Sequence, residues 1–374
     1  MPNSRIPLAV PDLRGNEAAW LQRCIADGWV SSAGPYVTEF EKAIAALAGV
    51  GHGVAIVNGT AALHLALVAA GVAKGDRVIV PDWTFAATAN AVLMAGAVPV
   101  FVDVEEASWA LDAKLLERVI EQHKPAAIIA VHALGHPADM DPIMEVARAR
   151  GVPVIEDAAG AIGAFYKGRP VGGLGDAATF SFNGNKTVTT GGGGALVTRR
   201  EDWATRARAL STQARPGSAY RYDAAGFNYR LPNVNAALGL AQLERLSEML
   251  AAKRTIAARY DAALAGRTDL SPMPRAVWAK SGCWLYSVRC ASREDAASLV
   301  AHLDAANATA RTFWEALSPQ APYRSYPAVR TGVADALSGK VVSIPCSSQL
   351  TEAEQARVIA ALAAWRGAAL REAA

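Results

Sequence analysis

The sequence predicts an α/β protein. A large body built on a mixed, mostly parallel sheet would occupy residues 1–240, and a smaller α+β domain residues 241–374. Two observations predict this. Between about Val54 and Val197, short apolar runs alternate with amphipathic stretches, as in a sheet covered by helices on both faces. After Gly226 the texture changes to a long stretch rich in Ala, Leu and charge, followed by mixed strand and helix signals. With 374 residues, 52% of them hydrophobic, the chain can bury a core of that size and is not a disordered protein.

The strand candidates are VAIV (54–57), RVIVP (77–81), PVFVDV (99–104), AAIIAVH (126–132), PVIEDA (153–158), ATFSF (178–182) and GALVT (194–198). The stretches TAALHLALVAAG, TFAATANAVLMAG, LDAKLLERVIEQH and MDPIMEVARARG lie between them at helical spacing. Trp83–Val102 carries no formal charge and is about long enough to span a bilayer. It reads instead as a helix followed by a strand, because it holds Thr84, Thr88, Asn90, Gly96 and Pro99. In the second domain, NVNAALGLAQLERLSEMLAAKRTIAARYDAALAG predicts one long helix. CWLYSVRC predicts a strand, and REDAASLVAHLDAAN and the Ala-rich tail predict helices.

Composition narrows the function. The charge sum of 37 basic and 34 acidic residues, +3, gives no electrostatic reason to expect nucleic acid or an anionic membrane as partner. Four scattered cysteines form neither a disulfide framework nor a zinc knuckle, so reduced thiols and no metal are expected. The first residues lack the apolar core and cleavage site of a signal peptide, so the expected location is cytoplasmic.

Ligands of such sheets bind beyond the carboxyl ends of the strands, and the polar residues there carry the chemistry. Lys186 follows a strand and a short polar turn and precedes four glycines, Gly191–Gly194, which would let the chain pass close to a bulky ligand. A lysine held among partly buried groups can lose its proton and act as an amine nucleophile. Asp157 ends an apolar strand, where a carboxylate is costly without a partner. It reads either as a cap for the next helix or, with Lys186, as half of a pyridoxal phosphate site. That cofactor needs a lysine for its aldehyde and an acid for its ring nitrogen. In VNGTAALHLAL a helix opens at about Thr60. Its free N–H groups and the Thr60 hydroxyl suit a phosphate, with Ser181 as a further donor, although a simple cap explains Thr60 equally. His132 and His136 follow a strand end and could face the site, while His64 reads as packed.

Five motifs in order, NGTAALHLAL, VPDWTFAATANAV, IEDAAGAIGAFYKG, FSFNGNK…TTGGGG and GFNYRLPNVNAALGLAQLERL, resemble the DegT/DnrJ/EryC1/StrS sugar aminotransferases. The resemblance implies the aspartate-aminotransferase fold (fold type I) and pyridoxal 5′-phosphate, with pyridoxamine 5′-phosphate as the alternate form. It implies that Lys186 holds the cofactor and moves protons, and that Asp157 holds the pyridine nitrogen. Phe85 would stack on the ring, and Thr60, Ala61 and Ser181 would bind the phosphate. Asn228 would reach the phosphate from the neighbouring subunit of a homodimer with shared active sites. One departure stands out. Gly160 replaces the Gln, His or Glu usual in the family, leaving room for a water or a substrate group.

GWVSSAGPYVTEFE, SFNGNKTVTT and LSTQAR are similar to enzymes that transfer the amino group of L-glutamate, by a ping-pong route, to C4 of a UDP-2-acetamido-4-keto-2,4,6-trideoxyhexose. Another nucleotide or a C3 ketone remains an alternative. Arg215, Arg230 and Arg311 are candidates for substrate anions. Three rivals compete. A dehydratase of the same family would carry His in place of Lys186. A non-catalytic regulator on the same scaffold would have lost part of the Lys, Asp and phosphate set. An NAD enzyme would need GxGxxG spacing after a first strand, which VGGLGDA does not supply.

Overall fold

The computed structural model describes residues 4–215, 220–222 and 224–367. Strands β1 (His52–Ile56), β2 (Arg77–Pro81), β3 (Val98–Val102), β4 (Ala127–Val131) and β5 (Val154–Asp157) come first in the chain. A small hairpin, β6 (Phe165–Tyr166) and β7 (Arg169–Pro170), precedes β8 (Ala177–Ser181) and β9 (Gly194–Thr198). The C-terminal part supplies β10 (Leu270–Pro272), β11 (Ala279–Lys280), β12 (Tyr286–Cys290), β13 (Arg311–Phe313), β14 (Ala328–Val329) and β15 (Val341–Ile344). The large sheet runs β1-β9-β8-β5-β4-β2-β3-β14. Its pairings are parallel except the two that β9 makes. The smaller sheet runs β10-β12-β15-β13, antiparallel throughout.

All seven strand expectations correspond to strands of the large sheet, because side chains alternate between two apolar layers. On β2, Val78 and Val80 enter the layer shared with the helix Gly59–Ala69, whereas Ile79 enters the opposite layer. A third core lies mainly in the C-terminal part, and Trp83, Ala133 and Leu134 extend it toward the large sheet. Several segments cross the 240/241 division, among them β11, which pairs with β6. Ile6 bridges to Ala308 beside the small sheet, and β14 joins the edge of the large one.

The single long helix expected after Asn233 is two helices, Asn233–Glu244 and Leu246–Leu264. At the junction, Arg245 turns out of helical geometry and binds Asp12 and Glu248. Among the described residues no helix is long and apolar enough to cross a membrane.

Candidate active site

The carboxyl ends of β5 and β8 open side by side, and the turn after β8 carries Lys186. That turn is closed by the Lys186 N–H donating to the Asn183 carbonyl at 2.9 Å. The Lys186 amine packs onto the indole of Trp284, 3.3 Å from the ring centroid. Burial lowers its pKa from the ordinary 10.5 to about 7, against the opposing pull of the Asp157 charge. Near neutral pH such a group can both take and give a proton.

Asp157 ends β5 with 6% of its surface exposed. Thr88 Oγ1 donates to one carboxylate oxygen at 2.8 Å, and the Ala159 N–H donates to the other at 3.1 Å. Thr84 lies 3.2 Å from Thr88, hydroxyl to hydroxyl. Asp157 makes no ion pair among the described residues; its two hydrogen bonds come from Thr88 and Ala159, and its charge acts on the Lys186 amine. Sequence reasoning missed Thr88. The signal was the Thr84 and Thr88 pair, four apart at a helix entrance.

Asn58, not Thr60, caps the helix Gly59–Ala69. Its side chain accepts the Ala61 N–H at 2.8 Å, so that predicted phosphate donor is already engaged. Thr60 sits half-buried in the first turn. Gly59 presses against Ser181, and a Cβ on it would lie 2.9 Å from the Ser181 Cβ and 3.3 Å from its Oγ. The helix N-terminus, Thr60 and Ser181 thus share one cradle. Within the glycine run, two positions are set by the backbone itself. Gly191 takes φ +80, and a Cβ on Gly194 would lie 2.5 Å from the Asn58 carbonyl. These glycines let the chain pass beneath its own cap.

The vacancy expected at Gly160 is filled by Trp284 from the small domain, since a Cβ on Gly160 would lie 2.6 Å from its Cε3. Trp284 was read only as part of a strand candidate. Phe85 lies before the helix Ala87–Met94, 61% exposed at the same end of the sheet.

The remaining candidates gather elsewhere. Ser32, Gly34, Thr212, Arg215, Asn228 and Arg230 line an open groove of about 640 Å³ that neither Lys186 nor Asp157 lines. Asn228 is exposed there, fixed by a bridge to Thr212. Arg215 is exposed beside Tyr220. Arg230 does not offer a free guanidinium: it donates to the Ser32 carbonyl and pairs with Glu41 at 3.2 Å. Arg311 is exposed on β13 of the small sheet, outside this groove.

The histidines expected near the site are buried and engaged. His132 Nδ1 accepts the Ala138 N–H, which leaves Nε2 to donate to Glu156 at 2.9 Å. Glu156 also accepts the N–H groups of Gly172, Leu174 and Gly175. The glycine-rich VGGLGDA loop therefore wraps a carboxylate of its own chain. His64 packs edge-on against the stacked rings of Phe227 and Tyr229.

The family model described as the DegT/DnrJ/EryC1/StrS aminotransferase family matches residues 11–363. The chain is 43% identical over 362 residues to the GDP-perosamine synthase of Caulobacter vibrioides, covering 96% of this chain and 97% of that protein. A DegT/DnrJ/EryC1/StrS aminotransferase from Brucella abortus superposes with a TM-score of 0.88 at 31% identity, over 94% of this chain and 95% of the other. Spr1654 of Streptococcus pneumoniae, in its pyridoxamine phosphate form, gives a TM-score of 0.89 at 26% identity, over 95% and 96%.

Proposed function

Since the chain belongs to the DegT/DnrJ/EryC1/StrS aminotransferase family, we propose that it transfers the amino group of L-glutamate to C4 of a nucleotide-linked 4-keto-6-deoxyhexose. It is a pyridoxal phosphate-dependent aminotransferase with fold type I architecture. The observation that carries the site assignment is the unpaired buried Asp157 carboxylate near the near-neutral Lys186 amine. A protonated ring nitrogen would give Asp157 a hydrogen-bonded ion-pair partner, and Thr60, Ser181 and the helix start would suit the phosphate.

Bound there, the cofactor would supply an electron sink and a carrier for the amino group. The protein residues do the rest. Asp157, oriented by Thr88 and the Ala159 N–H, keeps the ring nitrogen protonated. The Lys186 amine would take the proton from the amine-bearing carbon of the donor and, as ammonium, deliver it to the cofactor, and with the keto sugar it would move a proton the opposite way. Trp284 closes one side of the Lys186 amine to water.

Asn228 and Arg215 stand in a groove separate from Lys186, as they would if they served the site of a second subunit. We assign them to phosphate and substrate contacts across a homodimer, and Arg230 to bracing that groove through Glu41. The Caulobacter relative's name favours a GDP-linked sugar over the UDP-linked one suggested by the three sequence fragments. GDP-, UDP- and dTDP-linked 4-keto and 3-keto sugars, each incubated with L-glutamate and followed by NMR, decide this. Turnover confined to the 3-keto sugars would overturn the C4 assignment, and a UDP preference would restore the fragments' reading. Lys186→Ala is expected to abolish turnover; a full-rate variant would overturn the site.

A further inference from the structure

We propose that Trp284 is a positioning residue for the Lys186 amine, and that Gly160 provides the space through which its indole enters the site. The inference rests on Lys186 being the reacting amine. Lys186 Nζ lies on the indole face, 3.3 Å from its centroid, and Trp284 is only 7% exposed. Three anchors set the indole in this place. Its Nε1–H donates to the carbonyl of Asn185, the neighbour of Lys186, at 2.8 Å. Its own carbonyl accepts from Lys253 Nζ at 3.2 Å and from Cys346 Sγ at 3.5 Å. Its backbone nitrogen rests against Gly135, where a Cβ would lie 2.7 Å away. Lys253 is itself buried, and its amine donates only to carbonyls, of Trp284 and Cys346, among the described residues. A buried lysine that no step of the reaction uses is thus employed in holding this segment.

Gly160 is required here for space and not for backbone conformation. It is not among the residues with positive φ, yet a Cβ would come within 2.6 Å of Cε3 and 3.1 Å of Cδ2 of Trp284. Any side chain at 160 must push the ring off the amine. Asp157 is the charge that acts on the amine, while Lys253 and Cys346 stand behind the indole. The ring excludes water from the amine, so its displacement should return Lys186 toward the ordinary lysine range.

The test uses the full chain without cofactor. Lys186 is titrated by competitive amine labelling from pH 6 to 10 and read from its own peptide by mass spectrometry, the other lysines serving as internal controls. Wild type and Trp284→Phe should share a midpoint near neutrality. Trp284→Ala and Gly160→Ala should each raise it by about one unit or more. The double variant should move it no further than the larger single change, because both act on one contact. Gly160→Ala keeps every anchor of the Trp284 main chain, so it decides the matter if Trp284→Ala does not fold. A folded Gly160→Ala protein with the wild-type midpoint would overturn the inference. Borohydride reduction of the loaded enzyme separates the two levels. Cofactor mass on another lysine would overturn the assignment of Lys186 and this inference with it. Mass on Lys186 with unmoved midpoints would overturn this inference alone.

Discussion

Glu156 and Asp157 are adjacent carboxylates on β5, and the pleat turns them to opposite faces. Asp157 meets Thr88 in the site, while Glu156 meets His132 and three amides of the glycine-rich loop. Thr88→Val removes a hydrogen bond to an ionised group and should lower kcat/KM about tenfold with little change in Tm, since such bonds contribute about 1.5–3 kcal/mol. Steady-state kinetics beside a thermal melt would check it, and unchanged kinetics would remove Thr88 from the site. Glu156→Gln turns an NH2 toward donors that need an acceptor. It should cost about 3 kcal/mol of stability, measured by urea unfolding, through unsatisfied buried groups. Asp157 was legible in the sequence because it ends an apolar run. The role of Glu156 was not, because its partners lie 16 to 24 positions away around a loop.

At the scale of elements, the strands were legible because two-residue alternation reports directly on two covered faces. The helix break at Arg245 was not legible, because its cause is Asp12, 233 positions distant. The Lys186 turn and the helix start at Asn58 could be placed from local signals. Their meeting could not, since it depends on the antiparallel return of β9 between β1 and β8. That meeting is narrowest where Gly59 faces Ser181. Gly59→Ala suits the first helical position by propensity, as Ala exceeds Gly by about 1 kcal/mol in helices. Against that gain, the added Cβ must push the helix start off Ser181, so Tm should fall modestly while the cradle opens and cofactor retention weakens about tenfold, equivalent to about 1.4 kcal/mol. Dialysis followed by absorbance in the visible band would show it. Full retention would mean that the approach of this helix to β8 does not shape the phosphate site.

At the scale of the whole molecule, the C-terminal part packs against the ends of the large sheet's strands. The segment before β12 brings Trp284 to Lys186, and the stretch around Ala276 reaches back to His136 after β4. Neither approach is visible in a linear reading, since each joins residues roughly 100 or more positions apart. His136 donates from Nδ1 to the Pro137 carbonyl at 2.7 Å and accepts the Ala276 N–H on Nε2 at 3.1 Å, an arrangement only the neutral ring can make. Burial lowers its pKa from 6.5 to about 4, with the nearby His132 and Arg275 adding to the effect against the Pro137 hydrogen bond. The unfolded chain therefore binds more protons than the folded one between those two values. The contribution of His136 is fully present above pH 6.5 and is lost as the pH falls toward 4. A shift of that size corresponds to about 3 kcal/mol. Urea unfolding at pH 7 and pH 5 should show stability falling with pH. His136→Gln, which can still donate and accept, should flatten that fall measurably. If the variant kept the wild-type slope, the acid sensitivity would belong to other groups, and His136 would not register the joining of the two domains.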